Sequence, residues 1–159
     1  MSRVCAGSRV RLVATSALKP SNVLEQMVGI LLESGGSMKF HLKAWDDPLH
    51  KALCGISNKR TLSNFEYLGN WITRRPDPPL LVASTLMIPG YVDANQVVAI
   101  AQFIAGIDTN IPYVLLAFAP AFEMSDLPTT SQKHAQECLK AAKSAGLQRV
   151  RIGSLQLLR

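Results

Sequence analysis

Few residues in this 159-residue sequence are of types and spacing that could do chemistry. Lys43 closes the run Met38-Lys39-Phe40-His41-Leu42-Lys43-Ala44-Trp45-Asp46. It is an ammonium at the exit of an apolar stretch, where it either faces a bound anion or is simply solvated. His41 sits between Phe40 and Leu42, so in a strand it points to the face opposite theirs. A metal ligand needs partners. His50 is nine residues on and His134 is remote, so His41 reads as a partly buried, hydrogen-bonded imidazole. Asp46 and Asp47 precede Pro48-Leu49-His50 and read as a helix start rather than an acid/base pair. Cys5, Cys54 and Cys138 are too widely spaced for a disulfide framework or a metal knuckle. They are expected as reduced thiols of a cytoplasmic protein. No Ser-His-Asp triad, phosphate-binding Gly-Lys loop, dinucleotide fingerprint or zinc motif occurs.

These residues need a scaffold, and the sequence describes one. Apolar runs bounded by turn residues predict strands at 10–15, 38–42, 80–87, 113–118 and 150–152. The third and fourth are nearly continuous in apolar residues, as strands covered on both faces are. Between them lie capped helical patterns. Asn22 with Glu25 opens one to about residue 33, with Val23, Met27, Ile30 and Leu31 on one face, and Gly35-Gly36 stops it. Ser63 with Glu66 opens a second, carrying Phe65, Leu68 and Ile72 and ending before Pro76. Asp93 with Gln96 opens a third, with Val97, Ile100, Ala101 and Ile104 inward. A fourth runs from Ser131 to Ala145. The reading is therefore an α/β fold of about five parallel strands alternating with four helices. A short further helix is expected before Gly55-Ile56-Ser57-Asn58, with Gly55 ending it. Five strands cannot close an eight-stranded barrel. They make a partial barrel whose two edges and concave face are left open.

The totals agree with one globular domain spanning residues 1–159: 48% hydrophobic and 18% charged residues. No apolar run reaches a membrane span, and the N-terminus lacks the apolar core of a signal peptide. The net charge is +6. Basic residues gather at Arg3, Arg9 and Arg11, at Arg74-Arg75, and at Arg149 and Arg151. They form no long run and no aromatics interleave with them, so neither nucleic acid nor membrane is expected as a partner. Anion or phosphate binding at the basic strand ends stays open.

Three segments carry a resemblance to a known family. The first is 38–46 with Leu49-His50-Lys51 and Gly55-Ile56-Ser57-Asn58. The second is Ser84-Thr85-Leu86-Met87-Ile88-Pro89-Gly90-Tyr91-Val92-Asp93. The third is Leu115-Leu116-Ala117-Phe118-Ala119-Pro120, running into Ser125-Asp126-Leu127-Pro128. In order and spacing they resemble the C-terminal half of a radical S-adenosylmethionine enzyme related to the pyruvate formate-lyase activating enzyme. The resemblance runs from about Arg11 to the C-terminus. It implies half of a TIM-like barrel whose family uses S-adenosylmethionine and a [4Fe–4S] cluster. The cluster-binding motif C-x-x-x-C-x-x-C is absent here, so cluster ligands are missing and no catalytic or metal residue is assigned.

At the strand ends the resemblance implies cofactor contacts from Thr15, Leu42, Lys43 and Ser84. The first strand ends Ala14-Thr15-Ser16-Ala17 where the family has an acid, Thr, Asn and Gly. The second ends His41-Leu42-Lys43 where the family has Asp-Leu-Lys. Ala119 stands where activating enzymes often carry a histidine, and Ser84-Thr85 where some relatives use an arginine. Two acids are thus replaced, which weakens any cation site built on them. Gly55-Ile56-Ser57-Asn58 corresponds to a segment that lines the family's polypeptide-substrate entrance, or is loop architecture. The expectation is a chain inactive alone, completed by an N-terminal half-barrel. The alternative is a non-catalytic binding or assembly module, paired through its edges in a homodimer or with another chain.

Overall fold

The computed structural model describes residues 11–14, 22–75 and 77–159. Thr15, Ser16, Ala17 and Cys5 lie outside the described residues. Five parallel strands form one sheet in the order β1-β2-β3-β4-β5. They are β1 (Arg11–Ala14), β2 (Ser37–His41), β3 (Leu81–Met87), β4 (Tyr113–Ala117) and β5 (Val150–Gly153). Sequential neighbours pair throughout, as right-handed strand-helix-strand units require. The α/β partial-barrel reading holds.

The helices are α1 (Asn22–Ser34), α2 (Asp47–Cys54), α3 (Lys59–Gly69), α4 (Ala94–Ile107) and α5 (Gln132–Ser144). Two of them, α2 and α3, fill the β2–β3 connection, and α2 is the short helix expected before Gly55. The Ser63–Glu66 pair does not open α3, which begins four residues earlier, after Asn58. Asn58 wins because its backbone amide binds Asp47 Oδ1 and its side-chain amide binds the carbonyls of Ala44 and Trp45. Ile72 lies in a separate 3-10 turn, Ile72–Arg74. The inward stripe of α1 is Leu24, Val28 and Leu31, while Ile30 is exposed. Apolar residues surround that helix on most sides, so periodicity alone did not choose between two stripes.

Three other helix readings hold. Val97, Ile100, Ala101 and Ile104 of α4 are fully buried. Ser131 caps α5 by accepting the amide of His134, and Gly55 ends α2 in the left-handed region at φ 74°.

One hydrophobic core lies between the helices and one face of the sheet. Met38 and Phe40 of β2, Leu81, Ala83 and Met87 of β3, and Tyr113 and Leu115 of β4 point into it. Phe40 meets Phe65 of α3 edge-on at 5.4 Å. By the two-residue alternation of strands, Lys39 and His41, Val82, Ser84 and Leu86, Val114 and Leu116, and Arg151 and Gly153 line the opposite, inner face. A small second cluster of Ile88, Val92 and Phe118, with Leu53 and Leu127 against it, packs just past the C-terminal ends of β3 and β4.

Candidate functional site

The site builds from β2 outward. Its burial alternates, with Met38, Phe40 and Leu42 inside the helix-facing core and Lys39, His41 and Lys43 toward the other face. His41 pairs in register with Ser84, Ser84 with Val114, and Val114 with Arg151. One row of side chains therefore crosses four strands at the level where β2 ends.

Within that row Ser84 is fully buried. Its Oγ lies 2.9 Å from His41 Nδ1 and 3.2 Å from the Phe40 carbonyl. Both contacts are satisfied together when Ser84 donates to the carbonyl and accepts Nδ1–H from His41. That tautomer follows from the hydrogen-bond network. It leaves Nε2 as the ring atom with a lone pair. Burial lowers the His41 pKa below the ordinary imidazole value, and the charges of Lys43 and then Lys39 push it the same way. His41 is thus the hydrogen-bonded imidazole the sequence suggested.

Lys43 is exposed just past the end of β2, and its loop is clamped from two sides. Asn58 donates to the carbonyls of Ala44 at 3.2 Å and Trp45 at 2.6 Å. From α4, Gln96 Oε1 accepts the amides of Trp45 at 2.8 Å and Asp46 at 3.1 Å, and its Nε2 donates to Asp46 Oδ2 at 2.7 Å. Sequence reasoning assigned Gln96 to a capping box at the start of α4. It instead ties the Lys43 loop to a helix fifty residues away. A partner at that distance leaves no periodic trace in a single sequence.

A second buried chain fixes the backbone between His41 and Lys43. The hydroxyl of Tyr113 donates to Thr85 Oγ1, and Thr85 donates to the Leu42 carbonyl, both at 2.7 Å. Burial pushes the Tyr113 phenol well above its usual value, so it stays a neutral donor. Thr130 Oγ1 accepts the amide of Phe118 and donates to the Met87 carbonyl, both at 2.7 Å, joining the ends of β3 and β4.

Of the four residues expected at a site, Lys43 and Ser84 come to the inner face beside His41. Leu42 lies in the core, only 2% exposed, so it reaches a site only through its backbone. Thr15 lies outside the described residues. Asp46 and Asp47 start α2, with Asp47 paired to Lys51 at 2.7 Å. That ion pair and a Ser57 hydrogen bond hold the Asp47 carboxyl well below its usual range. His50 is buried, its Nδ1 at 2.7 Å from the Ile56 carbonyl, so Gly55-Ile56-Ser57-Asn58 serves as loop architecture at these contacts.

Among the described residues no three His, Cys, Asp or Glu side chains converge to hold a metal ion. Cys138 is buried within α5 and Cys54 is exposed at the end of α2. The described residues therefore do not fit an iron–sulfur cluster. For S-adenosylmethionine the fit is divided. Lys43 suits its carboxylate, but no described strand position on the inner face offers an acid for its sulfonium.

A separate cleft of about 420 Å³ opens outside the sheet, between the starts of α4 and α5. His134 Nε2 lies 3.0 Å from Asp93 Oδ1 there, and Glu137 lines it too. Among the described residues no helix is long and apolar enough to cross a membrane.

No family model matches the sequence, and no curated protein matches it. Among solved structures the chain is similar to a domain of pyruvate-formate lyase-activating enzyme from Bacteroides vulgatus. The identity is 17%, the TM-score 0.61, and the likeness covers 93% of this chain and 100% of that one. The chain has an activating-enzyme-like α/β fold.

Proposed function

We propose that this chain is the C-terminal half-barrel of a radical S-adenosylmethionine protein of the glycyl-radical-activating type. It is inactive by itself and acts once a cluster-bearing half, on another chain or segment, closes the barrel. The observation that carries this reading is the open sheet itself. Five parallel strands run in sequential order with the described helices packed on one face, and polar groups gather at the strand ends of the other. In barrels of this kind, sites are built at the C-terminal ends of the strands.

The complementing half would supply the cluster. Held there, a cluster would supply one-electron reducing chemistry toward S-adenosylmethionine. This chain's own residues have narrower tasks. Lys43 would take the cofactor's carboxylate as a charge-assisted donor, and Ser84 fixes the His41 ring by accepting its Nδ1–H. Asn58 and Gln96 keep the Lys43 loop in place. Leu53, Leu86 and Phe118 keep water from the ends of β3 and β4. A carboxylate facing the sulfonium has to come from the other half.

Complementation tests the reading. The chain is co-expressed with an N-terminal half-barrel carrying C-x-x-x-C-x-x-C, and the complex is reduced anaerobically with S-adenosylmethionine. 5′-Deoxyadenosine is expected from the complex, and less from the Lys43→Gln complex. A folded complex that holds its cluster but forms no product would overturn it.

A further inference from the structure

We propose that the inner face of the sheet is itself a binding site for a small phosphate-bearing anion, held by His41 and Lys43 with Arg151 from the far strand, and with Ser84 fixing the His41 ring. The row His41–Ser84–Val114–Arg151 is in register across β2 to β5. Adjacent strands lie roughly 4.8 Å apart, so His41 and Arg151 start about 14 Å apart along the sheet. Curvature toward the barrel axis and the length of the arginine narrow that gap. Lys39 and Lys43 flank His41 two residues away on the same face. None of the described strand positions on this face, from Lys39 to Gly153, is acidic. A face with cations and no carboxylate repels a sulfonium and attracts an anion.

The donors come from β2, the loop after it and β5, and are of different kinds: an imidazole, an ammonium and a guanidinium. A tetrahedral phosphate offers three acceptor oxygens to such a spread, more than a planar carboxylate does. Val114 and Leu116, between Ser84 and Gly153, give an apolar floor for the organic part of such a ligand. Gly153 keeps that floor low. A β-carbon there would come 3.0 Å from Leu116 Cδ2 and 3.1 Å from Val114 Cγ1.

Ser84 is a positioning residue. It accepts Nδ1–H of His41, so Nε2 is the atom that meets the ligand, and His41 takes up a proton as the anion binds. The charged groups that act on His41 are Lys43, just past the end of its strand, and Lys39 on that strand; Arg151 shares its row three strands away. Ser84 on β3 and Val114 on β4 carry no charge.

The test is an NMR titration of the histidine rings of the full chain with inorganic phosphate, ionic strength being held constant with chloride. The His41 signals should shift saturably at millimolar phosphate, while those of His50 and His134 stay put. The His41 midpoint should rise when phosphate is bound. Lys43→Gln and Arg151→Gln, both at exposed positions, should each weaken binding roughly fivefold. Ser84→Ala should change the His41 tautomer signals as well as the affinity. Acetate should bind more weakly than phosphate. An equal response to chloride alone would overturn the proposal, and so would full affinity in both charge variants. A tighter response to S-adenosylmethionine than to phosphate would overturn the ligand class. The titration uses the chain alone, so its failure leaves the half-barrel reading standing, and failed complementation leaves this proposal standing.

Discussion

Replacing Thr85 with Val should be among the costliest single changes near the site, and adding a second change should restore part of the loss. Thr85 is 1% exposed and Tyr113 is fully buried, so water cannot replace the hydroxyl that valine removes. Two groups lose their partner in Thr85→Val: the Tyr113 phenol and the Leu42 carbonyl. Leaving a buried polar group unsatisfied costs about 1–3 kcal/mol, so the variant should lose roughly 2–5 kcal/mol of the 5–15 kcal/mol typical of a domain. Tyr113→Phe alone should lose only about 1 kcal/mol, because Thr85 still donates to Leu42. In the double variant no phenol is left unpaired. It should therefore be about 1 kcal/mol more stable than Thr85→Val, although it carries more changes. Urea unfolding of the four proteins measures the cycle. A Tyr113→Phe penalty of the same size and sign in both backgrounds would refute the coupled chain.

Three further outcomes follow from the same contacts. Asn58→Ala should cost about 2 kcal/mol by stranding the carbonyls of Ala44 and Trp45. Hydrogen exchange at residues 43–46 should speed up with it. His41 should titrate below the usual imidazole midpoint, and Lys43→Gln should move it up, as ring NMR against pH would show. The folded state binds this proton less readily than the unfolded state. His41 therefore adds to stability as pH rises from the lowered folded value to the ordinary one, and subtracts from it below that window. Urea midpoints across the window check the sign. Under native alkylation Cys54 should be modified and Cys138 spared, since Cys138 is fully buried and burial pushes its thiol up to about 12. Peptide mass spectrometry reads both.

What the sequence made legible was what periodicity encodes. The apolar runs ending at Met87 and Phe118 marked buried parallel strands, and the Val97–Ile104 pattern found the inner stripe of α4. The alternation Phe40-His41-Leu42-Lys43 separated core from inner face, which brings His41 and Lys43 together. The same alternation also sends Leu42 into the core. Contacts set by tertiary distance were hidden. Gln96 reaches Asp46 across the sheet end, Thr85 links Leu42 to Tyr113, and Arg151 joins the row of His41 only through three strand pairings. The start of α3 was hidden for a related reason. Asn58 is fixed by carbonyls of the preceding loop, a stronger tie than the local Ser63–Glu66 signal.

The half-barrel account is tested most directly by anaerobic reconstitution of the purified chain alone with iron and sulfide. Visible charge-transfer absorbance and 5′-deoxyadenosine from S-adenosylmethionine under reduction are then measured. The account predicts neither signal. A stable cluster with turnover would contradict it. That result would mean that the widely spaced cysteines of one chain, or of an oligomer, build the site proposed for a complementing half.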